Sequence, residues 1–175
     1  MKNILEWVKE IIIAVIIASV ILAFVKPIII RQSSMEPTFY NGDYIFISKQ
    51  AYNLFGDPER GDVVVFHTGL KTEEGEDKNL IKRIIGLPGD TVEIVDGYVY
   101  LNGEKLDEPY AEQLSVGECD LEFPFQVPQE QYFVLGDMRE SSIDSRNTLI
   151  GCVAKDQIVG KVFFRIWPFK TIRFF

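Results

Sequence analysis

Histidine is nearly absent from this chain: its 175 residues contain one, His67. A Ser–His–Asp triad would have to use it, yet it follows the run DVVVF at the mouth of an acid-rich stretch and reads as an exposed loop residue. Cysteine is almost as scarce. Cys119 and Cys152 form no CxxC, and with one histidine they cannot complete a zinc ligand set. No metal and no cofactor are therefore expected. The two thiols read as free, with a disulfide left open. An excess of positive charge is lacking too: 18 Lys and Arg face 26 Asp and Glu, a formal net charge of -8. The charges of Lys2, Glu6, Lys9 and Glu10 cancel, so the whole deficit falls after residue 25. Nucleic acid is excluded as a partner, because it needs a basic footprint. Internal repeats, heptads and strongly amphipathic helices are also missing.

Long apolar runs are limited to one. Residues 11–25, IIIAVIIASVILAFV, carry no charge, and Trp7 to Val25 gives nineteen residues with Lys9 and Glu10 able to snorkel. A membrane span needs about 17–25 such residues. A cleaved signal peptide and a buried core helix are the rivals. No polar cleavage region follows the run, and a helix apolar on every face has little room in so small a domain. The expected organisation is a tip and transmembrane anchor over residues 1–25 and one extramembrane domain over residues 26–175.

After the run the pattern changes to period two. Residues 43–48 (DYIFIS), 62–66 (DVVVF), 80–85 (LIKRII), 131–135 (QYFVL) and 159–166 (VGKVFFRI) read as strands. Leu87-Pro88-Gly89-Asp90 reads as a type II turn. Residues 91–95 and 98–101 form a tight hairpin about Asp96-Gly97, and Asn102-Gly103 makes a second such turn. Residues 69–79 read as an exposed hairpin tip, and residues 104–129, with Pro109, Gly117, Pro124 and Pro128, as irregular. The fold class is mostly β, with non-local antiparallel pairing behind a single N-terminal helix.

Three stretches can carry chemistry. The first is RQSSMEPTFY, residues 31–40, where Ser34 follows Val25 after eight intervening residues, with Pro37 stiffening the chain behind it. A serine nucleophile without histidine needs another base, and a lysine serves if an apolar site keeps it neutral. Lys82, flanked by Leu80, Ile81, Ile84 and Ile85, fits best. On a strand it shares a face with Ile84, while Ile81, Arg83 and Ile85 face the other way. From the pattern alone, a lysine that snorkels off an edge strand stays open. The third stretch is GDMRESSIDSR, residues 136–146, where alternating acid and base after a strand suggest ion pairs pinning a loop.

In this order the stretches resemble bacterial type I signal peptidases. SSMEPTF is similar to the family's serine box, RGDVVVF (60–66) to its next box, IKRIIGLPGD (81–90) to its lysine box, and GDMRESSIDSR to its last box; VGKVFFRIWPF (159–169) is similar to its closing strand. The resemblance implies a membrane-anchored antiparallel β-sheet peptidase that cuts signal peptides from secreted preproteins after small residues at -1 and -3. It implies Ser34 as nucleophile, Lys82 as general base and Ser142 as the residue orienting the lysine. Asp144 and Arg146 would form a supporting ion pair, with Asp137 and Arg139 scaffolding the same loop. Ile30, Met35, Phe39 and Ile81 match positions lining the -1 and -3 pockets. The implied protein is a monomer, single-pass in the cell membrane, with its catalytic domain on the extracytoplasmic side and signal peptides and the lipid bilayer as partners. Two departures stand out. Gln32 occupies the place of a common Ser or Gly of the oxyanion hole, leaving the Ser34 amide and the Gln32 side chain as donors. Met138-Arg139-Glu140-Ser141 replaces a usual Asn-Arg-Asp-Asn. A Ser–Lys protease of the self-cleaving repressor type and a catalytically silent anchored assembly factor remain as rivals. The anchor and the absence of a DNA-binding module speak against the first, the intact Ser34 and Lys82 against the second.

Overall fold

The computed structural model describes residues 3–54, 56–71, 75, 77–111, 115 and 117–175. The apolar run is one helix, α1 (Ile4–Phe24), and none of its residues is buried. That rules out the core-helix reading. Twenty-one residues at 1.5 Å each span about 32 Å, enough to cross a hydrocarbon layer of about 30 Å. The helix ends on an extended residue, Val25, and the chain enters a sheet at once.

The rest is β. An eight-stranded antiparallel sheet comprises β1 (Val25–Ile29), β2 (Tyr44–Ser48), β3 (Val63–Lys71), β4 (Asp77–Gly86), β9 (Gln131–Leu135), β10 (Val153–Ala154), β11 (Ile158–Trp167) and β12 (Arg173–Phe174), in the order β1-β2-β11-β3-β4-β9-β10, with β12 paired to β11. A smaller sheet, β7-β6-β5-β8, holds β5 (Thr91–Val95), β6 (Tyr98–Leu101), β7 (Glu104–Lys105) and β8 (Phe125–Gln126). A one-turn helix, α2 (Ala51–Leu54), follows β2. Three apolar clusters hold these layers. Ile45, Ile47, Val63, Val65 and Val162 fill one face of the large sheet; Val64, Phe66, Leu80, Ile84 and Val134 fill the other. Ile85, Val92, Val99, Leu101, Phe133 and Leu135 bind the small sheet to the large one.

The turns follow their chemistry. Asp90 N–H donates to the Leu87 carbonyl at 3.0 Å with Gly89 at φ +85°. Asp96-Gly97 and Asn102-Gly103 both have two successive positive φ values, the geometry that matches the twist of a two-residue hairpin. Three expectations change. The stretch 69–79 is not merely a tip: β3 runs to Lys71 and β4 starts at Asp77, while residues 72–74 and 76 lie outside the described residues. The stretch 104–129 contributes β7 and β8. The chain beyond Lys26 is strand β1, which tolerates Pro27 because it lies at the sheet's edge.

Candidate active site

Strand β4 lies between β3 and β9, so Lys82 is on an interior strand. Its neighbours on the same face, Leu80 and Ile84, pack in an apolar cluster with Val64, its partner across to β3. An edge-strand lysine would reach water; this one is 1% exposed. Its Nζ lies 2.6 Å from Ser34 Oγ, across 48 residues of chain. Burial pushes the Lys82 ammonium down to about 8. The Asp144 carboxylate works against that shift and the Arg146 guanidinium with it. Two of the three stretches thus meet as a hydroxyl and an amine with little access to solvent.

The third stretch closes the site from behind. Met138 N–H donates to the Ser34 carbonyl at 3.1 Å. Asp144 accepts from Gly136 N–H at 3.0 Å and from Arg146 Nε at 2.8 Å, and the fully buried Arg146 also donates to the Arg139 carbonyl at 2.7 Å. The expected Asp144–Arg146 pair is present. Asp137 and Arg139 do not pair with each other but reach outward. Asp137 accepts a two-pronged contact from Arg83, at 2.9 and 2.6 Å, and the Thr38 hydroxyl at 2.5 Å. Arg139 donates from Nε to the Gly136 carbonyl at 2.9 Å and grips Glu108 with its two terminal nitrogens. Ser142 forms no hydrogen bond to Lys82: its Oγ is buried and without a partner among the described residues.

A cavity of about 510 Å³ opens over Ser34 and Lys82, with Arg31, Gln32, Ser33 and Lys78 in its wall. Gln32 is exposed there. Through Arg31, Gln32, Lys78 and Leu80 it joins a second hollow of about 580 Å³, between residues 26–32 and 78–81. Ile30 and Ile81 line that second hollow. Met35 and Phe39 do not reach it. They are fully buried in the cluster beneath, where the Phe39 ring lies 4.6 Å from that of Phe175. Cys119 and Cys152 are unbonded. His67 is exposed, as its pattern suggests, but it lies within strand β3 opposite Asn79 rather than in a loop.

The sequence pattern described as "Signal peptidase, peptidase S26" matches residues 4–167. The chain belongs to the signal peptidase family. Signal peptidase I S of Bacillus subtilis is 41% identical to it over 98% of this chain and 94% of its own length. Signal peptidase I of Bacillus licheniformis is 40% identical over 98% and 93%, and signal peptidase IB of Staphylococcus aureus 39% over 98% and 94%. A solved signal peptidase I from Enterococcus faecalis is 31% identical, with a TM-score of 0.48, covering 60% of this chain and 96% of that one. This chain is a signal peptidase of peptidase family S26, mostly β, with an N-terminal helix long and apolar enough to span a membrane. In this signal peptidase, the sequence pattern left several residues around the site unflagged. Arg83 and Thr38 tie the lysine strand to the loops on either side, and Glu108, Tyr110 and Ser115 arrive from a stretch read as irregular.

Proposed function

We propose that this chain is a serine endopeptidase that removes N-terminal signal peptides from secreted preproteins at the membrane surface with a Ser34–Lys82 dyad. The observation that carries the reading is the 2.6 Å approach of a buried, depressed-pKa amine to a serine hydroxyl. Ser34 Oγ attacks the scissile carbonyl carbon while its proton passes to neutral Lys82 Nζ. The oxyanion takes hydrogen bonds from the Ser34 backbone N–H and the Gln32 side-chain amide, each donor being worth about 10²–10³ in rate. Collapse breaks the peptide C–N bond, and the new amino terminus takes the proton from Lys82. Water then gives its proton to Lys82, attacks the ester and restores the Ser34 hydroxyl.

The surrounding groups keep that exchange dry and aligned. Asp144 with Arg146, and Asp137 and Arg139 through their outward ties, hold the last loop against Ser34. Ser142, whose buried hydroxyl has no hydrogen-bond partner among the described residues, takes the hydrogen bond of Lys82 once Oγ is acylated. Ile30 and Ile81 wall the hollow for small residues at -1 and -3, with Met35 and Phe39 packed behind them. Residues 1–25 serve as a single-pass anchor and residues 26–175 as an extracytoplasmic catalytic unit that works as a monomer. Only Lys26 to Ser33 separate the end of the anchor from Ser34, so the site stays near the bilayer, where a signal peptide's cleavage point emerges. Cleavage of a preprotein by Ser34→Ala and Lys82→Ala tests the dyad. Each is expected to lose about 10³-fold or more in rate, and near-normal turnover by either overturns the reading.

A further inference from the structure

Residues 106–111, 115 and 117–120 lie between the small sheet, after β7, and the loop 136–146. They are tied to the small sheet by Leu106 N–H donating to the Val99 carbonyl and Ser115 N–H to the carbonyl of Gly97, at 2.9 and 2.7 Å. They meet the loop at four points. Glu108 accepts both terminal nitrogens of Arg139, at 2.8 and 2.5 Å, and Ser115 Oγ accepts one of them at 3.1 Å. Gly117 lies flat beneath the loop's backbone: a Cβ there would stand 2.7 Å from the carbonyl oxygens of both Arg139 and Glu140. Asp120 N–H donates to the Arg146 carbonyl at 3.1 Å, and the Asp120 carboxylate accepts Thr148 N–H and Oγ at 2.7 and 2.8 Å.

Between these points Tyr110 faces the two arginines that flank the site. The Arg83 guanidinium sits 4.0 Å from the centre of its ring and that of Arg139 6.0 Å. A guanidinium over a tyrosine face is attracted to the ring's negative quadrupole, more so when water is kept out. Tyr110 also donates its hydroxyl to Glu108 at 3.2 Å. Arg83 directly follows Lys82, and Arg139 holds the Gly136 carbonyl. Gly136 in turn is pressed against the Ser34 carbonyl and Ser142 Oγ.

We propose that Glu108, Tyr110, Ser115, Gly117 and Asp120 form the seat of the catalytic loop, and that Glu108, Tyr110 and Gly117 are positioning residues for the Ser34–Lys82 pair. The idea rests on the proposed dyad. Glu108 fixes Arg139 and so the turn at Gly136 that receives the Ser34 loop. Tyr110 fixes Arg83 and so the end of the lysine strand. Gly117 sets how closely the loop approaches. None of the three touches substrate; each acts by holding Ser34 Oγ and Lys82 Nζ at reacting distance, where a misplacement of about 1 Å costs about 10²-fold.

The experiment uses the full chain in detergent micelles and a signal-peptide-bearing preprotein, followed in single turnover and across pH. Tyr110→Leu, Glu108→Gln and Gly117→Ala are expected to lower the single-turnover rate about tenfold or more while KM stays within about threefold. The pH midpoint of kcat/KM is expected to rise by about half a unit as water reaches Lys82. Tyr110→Phe keeps the ring and restores the rate lost in Tyr110→Leu. Tyr98→Leu, on the small sheet's exposed face, leaves rate and midpoint alone. A purely structural role would lower the melting temperature with rate and midpoint unchanged, and that result overturns the proposal. If Tyr110→Leu does not fold, the nearly isosteric Glu108→Gln decides. Active Ser34→Ala or Lys82→Ala would bring down the dyad itself; inactive dyad variants beside fully active Glu108→Gln and Gly117→Ala would bring down only the seat.

Discussion

Gly136 has room for a hydrogen and nothing larger. A Cβ there would lie 2.2 Å from Ser142 Oγ, 2.5 Å from Ser142 Cβ and 2.5 Å from the Ser34 carbonyl oxygen, so backbone as well as side chain would have to shift. Gly136→Ala should lower preprotein cleavage by about 10²-fold through displacement of Ser34 and lower stability by about 1–3 kcal/mol through overpacking, read by cleavage rate and thermal melting on the same sample. Lys82 gives the residue scale its pH dependence. Its folded value of about 8 lies below the ordinary 10.5, so the neutral, basic form is about one in ten at pH 7. The rate constant kcat/KM should climb about tenfold between pH 7 and well above 8, with its midpoint near 8; a flat profile there would contradict the neutral-lysine base. For stability the sign is the reverse of a stabilised charge. Between about 8 and 10.5 the unfolded chain binds more protons than the folded one, so stability rises with pH across that window, and below it the buried ammonium costs the fold about 3 kcal/mol. Lys82→Met should therefore melt higher than the parent at pH 6, and the gap should close as pH approaches 10.5. Ser34 and Lys82 were legible because each sits in a distinctive local run. Glu108 and Tyr110 were not, because their partners lie about 30 residues away and no local pattern marks an ion pair across that distance.

The elements show the same division between local and distant information. Asp96-Gly97 and Asn102-Gly103 were readable as hairpin turns because the required positive φ values select those residues directly. Gly103→Ala should cost about 1 kcal/mol from φ +84° alone, since a Cβ there meets no atom within 4 Å; cleavage should stay at the parent level, as the turn touches no part of the site. The long strands β4 and β11 were readable from period two and β-branched content. Strands β7, β8, β10 and β12 have two residues each, too few to show any period, and exist because longer partners offer them hydrogen-bonding edges. Strand β1 was hidden by Lys26 and Pro27, which read as the end of the apolar run. Its pairing from Val25↔Ser48 to Ile29↔Tyr44 makes it the direct continuation of the helix into the sheet. Lys49 secures that junction, donating from its backbone N–H to the Phe24 carbonyl at 2.9 Å and from Nζ to the Leu22 carbonyl at 2.8 Å, where a cation suits the helix C-terminus.

At the scale of the whole molecule, the helix and the C-terminal tail meet the same question of where water ends. The C-terminal stretch 163–175 is rich in aromatic and basic residues. Phe163 and Phe164 are half-buried, but Ile166 and Trp167 are already exposed, and the tail divides. Phe175 turns inward onto Phe39, whereas Phe169, Ile172 and Phe174 are 68%, 50% and 73% exposed, beside Lys170 and Arg173. Aromatic and aliphatic side chains next to cations suit the headgroup region of a bilayer. Cutting the tail would also remove Phe175 from the core, so point substitutions make the cleaner test. In full-length protein reconstituted into vesicles and carrying Trp7→Phe, Trp167 is the sole indole. Its emission should be quenched by lipids brominated near the headgroup. The triple variant Phe169→Ser, Ile172→Ser, Phe174→Ser should weaken that quenching and slow cleavage of a vesicle-bound preprotein several-fold, while cleavage of a short soluble peptide in detergent stays unchanged. Equal quenching in parent and triple variant would mean that the outward side chains of the tail face water, and that the anchor alone keeps the site at the membrane.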